Sequence, residues 1–328
     1  MLHMSADSGL FRSRVELEAE GYRLEGNVLV GVKGRYLPLY EAKMVQLYNH
    51  RYGDYSQLAA GHGGHVLPDV PEARLADRGY SPAPRYWVPQ SAVDERLSGR
   101  WAGGWLLGWR DVTDARASAR TIVAAAIPRV GVGDKYLLML PAQQADGALL
   151  LSMLGSFILD YVSRQKVGGL ALKYFTMKQL AFLPPARFLD PCPWHRALTL
   201  AAWVVPRVVE LTFTAEDMSE FGRDFGYPGL PFSWDSSRRF EIRCELDGAY
   251  FHLYGMVRDE VAYILDTFPV VRRSEEKRFG EYRSKRRILE IYDRMQHAIN
   301  VGAPFMSDLD PPPGDPRASH SPGSNERG

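Results

Sequence analysis

Cysteine is almost missing from this chain: Cys192 and Cys244 are the only two in 328 residues, far apart and without a CxxC pair. That excludes a disulfide framework, argues against a structural zinc centre and fits a reducing cytoplasm. Long apolar runs are missing as well. The best candidate, residues 147–162, is broken by Ser152, Gly155, Ser156 and Asp160, short of the roughly 18–20 residues that a membrane span needs. The opening MLHMSADSGLFRSR has no apolar signal core. The expectation is a soluble, cytoplasmic protein with no membrane partner. Net charge is nearly absent too, because 40 basic residues face 39 acidic ones and leave +1. Any nucleic-acid surface must then be a local patch.

The loops of a methyltransferase are also not found. A Rossmann-type cofactor site needs a glycine-rich loop after its first strand. Gly131-Val132-Gly133 lacks the third glycine and a following helix, so it reads as a loop between strands. An adenine amino-methyltransferase needs an Asn/Asp-Pro-Pro-aromatic loop to hold the flipped base. Asp310-Pro311-Pro312-Pro313 has no aromatic, and Asp190-Pro191-Cys192-Pro193-Trp194 has an inserted cysteine; both read as decoys. No residue is assigned a catalytic, cofactor-binding or metal-binding role. His62 and His65 read as surface-loop residues rather than metal ligands. Glu41-Ala42-Lys43 has the Glu-x-Lys spacing of many restriction nucleases, but the second acid such a metal site requires is not evident upstream.

What is present is an ordinary globular balance, 45% hydrophobic and 24% charged, able to bury a sizeable core at a length that allows about two domains. Residues 8–20 read as a short helix and 22–30 as a hairpin turning at Glu25-Gly26-Asn27. Pro38 ends an extended stretch, with helix formers from Glu41, and residues 61–89 form an irregular connection. Strands are predicted over 105–112, 121–130 and 135–140, then an apolar helix over 148–162, a break at Gly168-Gly169, and a stop at Pro184-Pro185. Helices follow at 195–212, 238–254, 258–268 and 282–299. Six prolines beyond Gly302 predict a disordered tail over 301–328. The fold class is therefore mixed α/β (α+β): a β-rich region with inserted helices, a helical region, and that tail. The expected divisions are 1–100, 101–190, 191–300 and 301–328.

Residues 110–187 hold ten basic side chains (Arg110, Arg116, Arg120, Arg129, Lys135, Arg164, Lys166, Lys173, Lys178 and Arg187) against five aspartates, a local +5. This is the best electrostatic candidate for a phosphate-facing surface. Within it, Arg164, Lys166, Gly168, Gly169 and Lys173 stand out. Cations emerging at a helix end before two glycines suit phosphate clamping or guanine reading. They equally suit a helix dipole and a glycine stop. Arg110, Arg120, Arg129 and Lys178 join the set as candidate phosphate contacts. A second basic group at 272–287 is interleaved with glutamates and reads as a solvated helix face.

Several strings carry a resemblance when taken in order: Leu37–Met44, Asn49-His50-Arg51-Tyr52, Arg85–Pro89, Trp109–Thr113, Arg120-Thr121-Ile122, Pro128–Gly133, Asp160–Gly169 and Phe175–Pro185. The chain resembles, over about residues 5–299, the C-terminal region of adenine-specific DNA methyltransferases of the type IIG restriction-modification and phage-defence (DISARM-like) class. Phe175–Pro185 is also similar to recognition domains of type I specificity subunits. The resemblance implies a target-recognition region that reads double-stranded DNA beside a methyltransferase part using S-adenosylmethionine. The chain departs from the family in lacking both catalytic loops. It is expected to be a split subunit, a truncation or a remnant, inactive alone, with the cofactor site supplied by a catalytic subunit in trans or lost. Two rivals remain: a metal-dependent nuclease using Glu41 and Lys43, and a helical assembly module built on 195–299.

Overall fold

The computed structural model describes residues 1–58, 66–114 and 117–322; His62, His65 and Arg116 lie outside them. The chain is mixed α and β, as its patterning implies. Ser13 caps α1 (Arg14–Ala19) through a capping box with Glu16. A meander follows, β1 (Arg23–Glu25), β2 (Val28–Gly31) and β3 (Gly34–Tyr40), in which Glu25 pairs with Val28 across the expected turn. After α2 (Glu72–Leu75), β4 (Trp87–Pro89) joins the same sheet beside β3 and leads into α3 (Gln90–Leu97). Pro38 does not end β3. The strand changes partner there: Tyr36 to Pro38 pair with β4, while Leu39 and Tyr40 pair in parallel with residues 131–132. A residue without an N–H is tolerated where the ladder switches sides.

The second sheet places β5 (Trp105–Arg110) between β6 (Ala124–Pro128) and a later strand; β7 (Gly131–Val132) leaves for β3, and β8 (Tyr136–Met139) returns to β5. Trp105, Trp109 and Tyr136 are fully buried there. A Cβ on Gly131 would meet Val88 Cγ2 at 2.5 Å, so this glycine serves close packing between strands.

The apolar run 148–162 is not one helix. It forms α4 (Gly147–Gly155) and α5 (Phe157–Lys166), bent by 70° at Ser156. A Cβ on Gly155 would meet Tyr48 Oη at 2.1 Å, and Ser156 caps α5 at the Leu159 N–H. Two groups released by the bend find side-chain partners: Phe157 N–H donates to Asp247 at 2.7 Å, and Gly155 C=O accepts from Arg120 at 2.6 Å. Burial pushes the Asp247 carboxyl up to about 6, against the opposing pull of Arg120. Among the described residues no single helix is long and apolar enough to cross a membrane.

A short α6 (Tyr174–Met177) and a hairpin of β9 (Pro191–Cys192) with β10 (His195–Thr199) lead to the helices: α7 (Leu200–Thr212), α8 (Ser219–Asp224), α9 (Ser236–Leu253), α10 (Arg258–Asp266), α11 (Pro269–Phe279) and α12 (Arg283–Val301). Helices α9 and α12 pack along each other, and their buried faces join the main core that begins at Leu2 and reaches Phe305. The expected boundaries at 100 and 190 therefore do not coincide with breaks in the core. Within the tail expected over 301–328, residues 303–322 pack against the helices, and 323–328 lie outside the described residues. Phe305 is buried, and its N–H donates to Trp194 C=O at 2.7 Å. Asp308 holds Arg287 and Arg294. Gly314, at φ +80°, passes so close to Pro206 that a Cβ would lie 2.4 Å from its ring. Here the prolines lie along the helices, and one aromatic with several ion pairs anchors them.

Candidate nucleic-acid interface

The arginines of the basic segment mostly point inward. Asp160, fully buried on α5, accepts from Arg120 Nε at 2.8 Å, Arg164 Nε at 3.2 Å, Thr121 N–H at 3.0 Å and Ile122 N–H at 3.2 Å. Arg164 continues to the carbonyls of Ala119 (2.9 Å), Ser118 (3.1 Å) and Thr267 (3.3 Å), with its guanidinium 4.1 Å from the Phe268 ring centre. Its side chain is 9% exposed. Arg120 lies 4.2 Å over Phe157. Arg110 donates through Nε to Val45 C=O at 2.7 Å. Arg129 bonds Asp94 at 3.0 Å and reaches the carbonyls of Trp101 and Gly103 at 3.3 Å.

Arg110, Arg120, Arg129 and Arg164, expected to face DNA, thus have protein partners that already occupy their N–H groups. Carbonyls left without a partner at strand ends and at the α4–α5 bend need donors, and a guanidinium with five N–H groups serves several at once. The choice left open for the end of α5 divides residue by residue: Arg164 is structural, and Lys166 is exposed.

The remaining five candidates lie on one outward segment, 166–178. Lys166, Gly168, Gly169 and Lys178 are exposed, and the space where Cβ atoms would sit on both glycines is open. Among the described residues neither the Lys166 nor the Lys178 side chain has an ion pair or hydrogen bond. Lys173 is half-exposed and paired with Asp111 at 2.5 Å, so part of its charge is compensated. The segment is docked firmly at its centre. Leu172 N–H donates to Asp111 C=O at 2.8 Å and Thr113 N–H to Leu170 C=O at 3.0 Å. Tyr174 packs edge-on against Trp109 and donates to Leu138 C=O at 2.9 Å.

Apolar side chains stand out beside these lysines: Val112 (60% exposed), Leu170 (66%) and Phe175 (68%). Sequence reasoning missed Leu170 and Phe175. The signal was there in Lys173-Tyr174-Phe175 followed by Lys178, an aromatic pair between lysines. The result is a ridge of free ammonium groups and uncovered apolar side chains on a rigid base. It can meet an anionic, partly apolar surface such as a nucleic-acid groove.

The other motifs have structural surroundings. Trp194 of the Asp190–Trp194 string is buried edge-on against Trp203, so it cannot stack on a base. Glu41 accepts from Tyr55 and pairs with Lys43 at 3.1 Å, while Asp7 bonds Arg96 at 2.8 Å. Among the described residues no three His, Cys, Asp or Glu side chains converge as a metal site would require. With this geometry in view, the chain was compared with known proteins. No family model, curated protein or solved structure matches it.

Proposed function

We propose that this chain recognises duplex DNA and directs an N6-adenine methyltransferase of the restriction-modification and phage-defence class. The cofactor site and base-holding loop of that enzyme are carried outside these 328 residues. The observation that carries the reading is that strings far apart in sequence, on which the resemblance rests, are neighbours in space. Leu37–Met44 contributes β3, which pairs with Arg85–Pro89 on one side and with Pro128–Gly133 on the other. Arg120-Thr121-Ile122 closes on Asp160, and Trp109–Thr113 carries Leu170 and Leu172. The strings form one frame, and its outward end is the 166–178 ridge.

The ridge supplies sequence-independent attraction through Lys166 and Lys178. Phe175 and Leu170 supply apolar contact, for which thymine methyl groups are the natural complement in a major groove. The test is a salt titration on matched and scrambled duplexes. Lys166→Ala and Lys178→Ala should each weaken binding to all sequences and reduce the log–log salt slope by about one. Phe175→Ala should weaken binding without changing that slope. If all three variants bind as wild type does, the ridge does not face DNA.

A further inference from the structure

A second concave site lies beside the ridge: a polar cleft of about 680 Å3 that shares Val112 with it but includes none of residues 166–178. Residues near 110–120, the α4–α5 bend, and helices α9, α11 and α12 enclose it. It is lined by four arginines (Arg110, Arg120, Arg243, Arg278) and three carboxylates (Asp69, Asp247, Glu275). The carboxylates already have partners. Asp247 accepts from Phe157 N–H, Glu275 from Ser284 N–H at 2.7 Å, and Asp69 sits at the Tyr52 hydroxyl. Arg110 and Arg120 are fixed by Val45 C=O and by Asp160 with Gly155 C=O.

Arg243 and Arg278 differ. Both are exposed, and among the described residues neither side chain has an ion pair or hydrogen bond, the Arg278 guanidinium lying only over the Phe279 ring at 5.0 Å. Both guanidiniums open on the cleft, where Arg243 also acts on the neighbouring Asp247 carboxyl. An independent observation concerns Thr113, which also lines the cleft. It is 6% exposed, and its Oγ1 has no hydrogen-bond partner. A buried hydroxyl left unsatisfied is costly, and a ligand oxygen would relieve that cost.

We propose that this cleft binds a phosphate ester, with Arg243 and Arg278 gripping the phosphoryl oxygens and the Thr113 hydroxyl donating to the ligand. Guanidinium forks match the geometry of a tetrahedral oxyanion. The volume lies in the range of small-molecule sites and exceeds what a bare phosphate fills, so the ligand carries an organic body. That ester is either a free mononucleotide or a backbone unit of a nucleic acid.

The test titrates the whole chain at low salt with inorganic phosphate, pyrophosphate, AMP, adenosine and a short single-stranded oligonucleotide, read by calorimetry. Saturable binding of AMP but not adenosine is expected, with pyrophosphate competing. A tighter oligonucleotide assigns the backbone as the source, and a weaker one assigns the free nucleotide. Arg243→Ala and Arg278→Ala should each weaken binding at least about tenfold without moving the melting temperature of the unliganded protein. Lys277→Ala, an exposed cation on α11 that does not line the cleft, should bind AMP as wild type does. No saturable binding by any phosphate probe overturns the proposal. So does undiminished binding by both arginine variants, or a Lys277→Ala loss as large as theirs. The ridge variants Lys166→Ala and Lys178→Ala leave this site intact, so failure here and failure of the DNA reading are separable.

Discussion

Replacing Asp247 by asparagine isolates what a buried, ionisable carboxyl does to this fold. Asp247 is 5% exposed on α9 and spends one oxygen on the Phe157 N–H at the α4–α5 bend. Burial raises its proton affinity from the ordinary 3.8 to about 6, with Arg120 and Arg243 pulling the other way and Asp160 reinforcing the rise. Because the folded value lies above the unfolded one, the native state holds the extra proton between the two. The associated stability is fully present below 3.8 and is lost as the pH rises through about 6. At 1.36 kcal/mol per pH unit, that gap amounts to about 3 kcal/mol. Asparagine keeps an oxygen for Phe157 and carries no charge, so it stands in for the protonated form at every pH. Urea unfolding of wild type and Asp247→Asn at a series of pH values should show them alike near pH 3. The variant should then gain steadily and lead by about 3 kcal/mol above pH 7. Taking the difference removes the pH dependence of every other group. A difference that stays flat with pH would refute the argument.

Asp160→Asn should cost about 3–5 kcal/mol, because Arg120 and Arg164 would remain buried with their shared carboxylate gone; a loss under 1 kcal/mol in urea unfolding would contradict this. Gly155→Ala should destabilise by about 1–3 kcal/mol through collision with Tyr48. Tyr48→Phe should relieve only part of that, since the ring carbon Cζ would still lie 2.6 Å from the new Cβ. Phe305→Ala should cost about 3 kcal/mol or more, and limited proteolysis should then cut within 303–322 faster than in wild type.

The strands at 105–110, 124–128 and 136–139 were legible because each is a dense run of apolar or aromatic residues between turns, and the 23–31 hairpin because Gly26-Asn27 marks its corner. Helices α9, α10 and α12 followed from their apolar periodicity. The bend at Ser156 was not legible, because its cause, Tyr48 against Gly155, lies about a hundred residues away in sequence. Helix α11 overlaps the stretch read as a solvated helix face, but its bounds were not legible because none of its residues is buried and it has no apolar stripe to read. The charge of the basic segment was visible, but the direction of each side chain was not. Arg164 and Lys166 stand two positions apart near the end of one helix; one serves three protein carbonyls and the other faces outward. Only the positions of the unpartnered carbonyls decide between them.

The polar ties that close this molecule span very long stretches of chain. Arg239 donates to Tyr48 C=O across 191 residues, His50 meets Asp217 across 167, and Arg51, fully buried, reaches Thr214 C=O across 163. During synthesis at about 5–20 residues per second, Arg51 leaves the ribosome roughly ten to thirty seconds before its carbonyl partner exists. Through that interval Arg51 has only its nearer partners, the carbonyls of Leu75, Asp77 and Tyr80, and its enclosure is incomplete. Production should therefore depend on how the nascent chain is sheltered, and slower translation or chaperone depletion should lower the soluble yield before any change in the finished protein's stability is seen.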